Sequence, residues 1–142
     1  TARPDDADAH FHHGNALLRL NRHALALGDY ERAIALAPRH AKAWNNRGNV
    51  LLFLRQPDAA LASYGCALSL EPDNPEFLCN RGYALEALGR RREARFQWER
   101  ALNQKPDKDR IPVIKEKLAN GLTPATDKPT VYEKPTEAKQ GG

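Results

Sequence analysis

The chain has 142 residues, a formal net charge of +4, 41% hydrophobic and 28% charged side chains, and two cysteines. That balance suits one globular unit, and no apolar run is long enough to span a bilayer, so membrane insertion is not expected. No charged leader with an apolar stretch and cleavage site is visible; a cytoplasmic location is favoured over export, which would need a leader already removed, and the lack of Met makes the chain read as a trimmed product or an excised fragment.

Residues 1–6 are read as a short leader. Helix pairs are then predicted over 7–20 and 24–37, 41–54 and 58–70, and 75–88 and 92–104, because one pattern returns every 34 residues. The copies read His13-Gly14-Asn15-Ala16-Leu17-Leu18, Arg47-Gly48-Asn49-Val50-Leu51-Leu52 and Arg81-Gly82-Tyr83-Ala84-Leu85-Glu86. Each glycine is followed by an Ala (Ala26, Ala60, Ala94), an aromatic (Tyr30, Tyr64, Trp98), a second Ala (Ala33, Ala67, Ala101) and a Pro (Pro38, Pro72, Pro106). Residues three and four apart share a helix face, so the two Ala and the aromatic form one inward stripe on each second helix, and the small residues let helices approach closely. Asn74 before Pro75 reads as an N-cap with a first-turn proline, and Pro57 marks the same kind of start. Gly28 and Gly65 fall inside second helices, where each costs about 1 kcal/mol relative to Ala.

The 34-residue frame resembles the tetratricopeptide repeat (TPR), with copies at 7–40, 41–74 and 75–108. The family's small positions are kept in all three, while its early aromatic is Trp44 in the second copy, His10 in the first and Leu78 in the third. The resemblance implies an all-α fold, a right-handed α-solenoid of three TPR helix pairs, whose stacking buries what no single pair can bury alone. Beyond Lys108 the register fails. Residues 109–120 read as a capping helix whose Val113, Ile114 and Leu118 cover the last repeat, with Lys115, Glu116 and Lys117 turned to water. Residues 121–142 turn to Thr, Pro, Lys and Glu and are expected to form a flexible tail. The stretches Phe96–Arg100 and Leu118–Leu122 are similar to the closing segment of certain bacterial repeat proteins.

In TPR proteins the first helices line a concave surface, and helical spacing puts Phe11, His12, Asn15, Lys42, Asn45, Asn46, Asn49, Phe53, Cys79, Asn80 and Tyr83 toward it. The middle of this row is rich in amides. An asparagine amide donates and accepts, so it suits the backbone of an extended peptide, and the row resembles the asparagine ladder of enzymes that transfer N-acetylglucosamine to Ser and Thr, whose catalytic domain is absent from this sequence. The alternative reading of these asparagines is hydrogen bonding from helix to helix. A two-carboxylate clamp of the TPR cochaperone type is not expected: Asn15 and Asn46 fit it, but Phe11, Glu76 and Asn80 stand where its cations belong.

His10, His12 and His13 lack the cysteine or carboxylate set of a metal site, and Cys66 and Cys79 are expected as free thiols on different helices. The positive excess at Arg90, Arg91, Arg92, Arg95 and Arg100 is broken by Glu93 and Glu99, so nucleic acid is not an expected partner. No phosphate-binding glycine loop, nucleophile elbow or paired carboxylates is present, and neither enzyme activity nor a cofactor is expected. The reading is a non-catalytic scaffold that binds a protein or peptide ligand in its groove. The alternatives are a homo-oligomer whose groove takes a neighbour's tail or helix, and the targeting arm of a larger enzyme.

Overall fold

The computed structural model describes residues 6–120, so the tail over 121–142 and the leader up to residue 5 lie outside it. Helix starts follow local chemistry. Asp6 accepts from the amide of Asp8, Asn74 accepts from those of Glu76 and Phe77, and Pro57 and Pro75 occupy the first helical turn, where no amide is needed. A cap that the sequence reading missed is His40, whose Nδ1 accepts from the Ala43 amide at 3.1 Å. The resulting helices are α1 (Ala7–Arg19), α2 (His23–Leu36), α3 (Ala41–Phe53), α4 (Pro57–Leu70), α5 (Pro75–Ala87), α6 (Arg91–Asn103) and α7 (Arg110–Asn120). Among the described residues there is no strand.

Within each pair the turn is closed the same way. Asn21, Arg55 and Gly89 take left-handed backbone angles, with φ of 59°, 64° and 77°. The following amides of Arg22, Gln56 and Arg90 each reach back 2.8 Å to the carbonyls of Leu17, Leu51 and Leu85. This is the terminating geometry that favours glycine, and only the third turn has one.

The pairs are held by a glycine against a ring. A Cβ added to Gly14 would stand 2.8 Å from the Tyr30 ring, one on Gly48 would stand 2.7 Å from Tyr64, and one on Gly82 would collide with Trp98. Ala26, Ala33, Ala60, Ala67, Ala94 and Ala101 are all fully buried around these rings. The stack is then continuous. Ala43 and Val50 of α3 join α2 in one core cluster; Ala84 of α5 joins Ala60 and Tyr64 of α4, and Phe77 joins Ala67 and Leu68.

At the far end, α7 lays the fully buried Ile114 into the cluster of Trp98 and Phe77, with Leu118 beside it. Lys117, expected toward water, is half-buried instead. Its Nζ lies 2.8 Å from Glu86 Oε1 and over the Tyr83 and Trp98 rings, because an ammonium with a carboxylate and two ring faces nearby loses little on leaving water. The arginine stretch is likewise engaged: Arg90 pairs with Glu93, Arg95 donates to the Leu118 carbonyl at 2.6 Å, and Arg100 lies 3.8 Å from Asp73.

Gly28 and Gly65 differ from the ring-facing glycines, since a Cβ at either meets nothing within 4 Å. Gly65→Ala is expected to raise stability by about 0.5–1 kcal/mol, and Gly48→Ala to lower it by about 1–3 kcal/mol, in urea unfolding followed by circular dichroism. Equal effects of the two substitutions would refute the assignment of the ring contact.

Candidate functional site

The first helices α1, α3 and α5 lie side by side, tied by their asparagines. Asn80 Nδ2 donates to Asn45 Oδ1 at 3.0 Å, Asn45 Nδ2 to Asn46 Oδ1 at 3.2 Å, and Asn46 Nδ2 to Asn15 Oδ1 at 2.9 Å. Two tyrosines of the ring-on-glycine contacts join from below: Tyr30 donates to Asn15 Oδ1 and Tyr64 to Asn49 Oδ1, each at 2.5 Å. The same rings that space the helices therefore also orient the amides. In the third pair Trp98 takes the ring position, and its Nε1 donates to the Cys79 carbonyl at 3.2 Å instead.

The relay has a direction. Asn15 Oδ1 receives two donors and so has both lone pairs engaged, whereas no described group accepts from Asn15 Nδ2. Asn46 Nδ2 spends one of its two hydrogens on Asn15 and keeps the other. Asn49 Nδ2 is buried and has no acceptor. What this face offers from Asn15 and Asn46 is therefore mainly N–H donors.

Of the residues expected along this row, His12, Lys42 and Phe53 are exposed, and Asn15, Asn46 and Tyr83 are half-buried. Phe11, Asn45, Asn49, Cys79 and Asn80 are buried, which corrects the expectation that all eleven face outward. Helical spacing gives direction but not depth: Asn45 and Asn80 meet each other between α3 and α5, while Phe11 and Asn49 lie against Tyr30 and Tyr64 of the second helices. Phe53 stacks flat on His23 from the preceding pair, with ring centroids 3.7 Å apart. His23 was not legible as part of this face, since the stack depends on how two pairs sit against each other.

Charges along the row are mostly answered from within. Asp8 Oδ1 meets His40 Nε2 at 3.1 Å, and Glu76 meets Arg110 at 3.4 Å. Lys42 has no partner among the described residues and stands exposed between them. His10 and His13 place their Nδ1 atoms 3.2 and 2.5 Å from the two oxygens of the buried Asp29, while His12 sets its ring edge against Phe11. Among the described residues no group of three or more His, Cys, Asp or Glu is arranged to hold a metal ion.

Family models described as tetratricopeptide repeat match residues 1–41, 11–52, 41–74 and 75–108. The fold recurs in the TPR domain of Arabidopsis OM64, with a TM-score of 0.75 and 25% identity over 82% of this chain and 96% of that one. It recurs in the first TPR domain of Spaghetti (RPAP3), with a TM-score of 0.72 and 21% identity over 83% of this chain and 97% of that one. MamA gives a TM-score of 0.68 and 28% identity over 71% of this chain and 59% of that one. No curated protein matches the sequence.

Burial pushes the Cys79 thiol from 9.0 up to about 11, and burial also raises the neighbouring Tyr83 hydroxyl above its ordinary range. The unfolded thiol ionises first, so the stability Cys79 contributes is complete below pH 9 and is lost as pH rises toward 11. Chemical unfolding of the parent against Cys79→Ala is expected to show the parent losing about 1–3 kcal/mol more across that window. A difference independent of pH would contradict the burial of this thiol.

Proposed function

Because this chain belongs to the tetratricopeptide-repeat family, we propose that it is a non-catalytic protein-interaction scaffold that takes an extended peptide segment along the row of first helices. The observation that carries this reading is the direction of the amide relay. Oxygens are turned inward to other side chains, and N–H groups of Asn15 and Asn46 remain for the carbonyls of a ligand.

An extended strand advances about 3.3 Å per residue and packed helices lie roughly 10 Å apart, so about every third carbonyl returns to the same phase on the next helix. Lys42 and the Phe53–His23 stack flank the amides, one as a free cation and the other as an apolar platform. A charged peptide terminus is the poorer fit: Phe11 and Asn80 are buried without charge, and Glu76 is an anion already engaged by Arg110. Peptide occupancy has a precedent in the fold, since the Spaghetti TPR domain is bound to an HSP90 peptide in its structure.

A peptide array over the purified protein supplies ligands, and titration calorimetry on the best of them tests the site. The Asn15→Ala, Asn46→Ala double variant is expected to bind about thirtyfold more weakly, the two lost hydrogen bonds being worth about 1 kcal/mol each. A melting curve checks that the variant is folded. Unchanged affinity in a folded double variant would sink the proposal, as would binding that disappears when the ligand's C-terminus is amidated.

A further inference from the structure

The frame that builds the stack leaves one seam that its own side chains do not close. Between the first two pairs, Arg47 of α3 is held by both second helices. Its Nη1 donates to Ser63 Oγ of α4 at 2.6 Å, and its Nε and Nη2 lie 3.4 and 3.3 Å from Glu31 Oε2 of α2. One pair further on, the 34-residue frame puts Arg81 of α5 in the place of Arg47, Gln97 of α6 in that of Ser63, and Gly65 of α4 in that of Glu31. The cation is kept and its carboxylate is gone.

Three observations meet at this seam. Arg81 Nε is buried with no hydrogen-bond partner among the described residues, and so is Oε1 of Gln97, a residue only 6% exposed. A Cβ on Gly65 would meet nothing within 4 Å, so there is room for a side chain where Glu31 stands in the earlier seam. Glu93 is near enough to feel the charge of Arg81, but both of its oxygens are bonded to Arg90. Buried polar groups without partners are uncommon, because each has given up its hydration, and a guanidinium gives up most. Here two of them occupy the positions that bond in the earlier seam, beside a helix-interior glycine that no packing contact requires.

We propose that this notch binds a carboxylate from outside the chain, the side chain of an aspartate or glutamate on another protein. The earlier seam supplies the chemistry of the ligand, since a glutamate is what closes it. A guanidinium is a planar fork matched to a carboxylate, and the Gln97 amide can turn about its last torsion to offer NH2 in place of oxygen. Donors then come from both walls. A protein-borne acid is favoured over a free one because one guanidinium and one amide are too few contacts to hold a small molecule tightly. A protein surface can also cover Phe96, the residue before Gln97, which is 57% exposed. The notch opens between the second helices α4 and α6, whereas the amide row lies on first helices, so neither site depends on the other.

The test is NMR on the full, isotope-labelled chain, following the arginine Nε–H signals. Sodium propionate, which carries the end of a glutamate side chain, is titrated against sodium chloride at equal ionic strength. Propionate is expected to shift the Arg81 signal saturably, with half-saturation in the millimolar range, and to leave that of Arg47 unmoved. A capped Leu-Glu dipeptide should half-saturate at a concentration at least about threefold lower, and Phe96→Ser should remove that advantage without changing propionate binding. Gly65→Glu rebuilds the earlier seam within the chain. Its Arg81 signal should start near the shifted position, its propionate affinity should fall at least about tenfold, and its melting temperature should not drop. An Arg81 signal that follows chloride and propionate alike would mean an adventitious ion only and would overturn the proposal. So would a signal that does not move, one that still moves in folded Gly65→Glu, or equal half-saturation by the dipeptide and propionate.

Discussion

A ring lying on a helix backbone sets the spacing of everything else in this molecule. Gly14, Gly48 and Gly82 leave the room, and Tyr30, Tyr64 and Trp98 fill it from the second helix of each pair. With the ring at that depth, the flanking alanines reach full burial, and the next pair finds a face of fixed shape to stack on. The hydroxyls of the two tyrosines then emerge beside Asn15 and Asn49 and donate to their Oδ1 atoms, whereas in the third pair Trp98 takes the ring position and donates to a backbone carbonyl. Packing and the polar row are one construction: the residue that holds the helices together also decides which way the amides turn.

That coupling explains how a polar row survives in a chain with so small a core. Buried amides are costly unless paired, and Asn45 and Asn80 are paired with each other and onward to Asn46 and Asn15. The cost left over is concentrated at Asn49, whose Nδ2 is buried without an acceptor. The two readings of the asparagines open in the sequence, helix-to-helix bonding and ligand binding, are compatible in this geometry. The oxygens serve the first, and the N–H groups left at Asn15 and Asn46 are available for the second.

Element order was legible because glycine, alanine, aromatic and proline recur at fixed intervals, and each has a local physical meaning. Helix ends fell within one or two residues of expectation, α7 included, which begins at Arg110. The left-handed turn residues Asn21 and Arg55 were not legible, since neither carries the glycine that advertises such a turn. Depth within the row was beyond the pattern: a position that points toward the first-helix face is open or buried according to its neighbour on the next helix, as Asn46 and Asn80, equivalent in the frame, demonstrate. Lys117 was misread for the same reason, its carboxylate and ring partners being distant in sequence.

The account turns on which amide hydrogens are free, and side-chain NH2 resonances report that directly. In a heteronuclear NMR titration with an array-selected peptide, the Asn15 and Asn46 side-chain signals should shift on binding, while those of the buried Asn45 and Asn80 move little. Shifts confined to the opposite face, around Gly28, Gly65 and Phe96, with Asn15 and Asn46 unmoved, would contradict it.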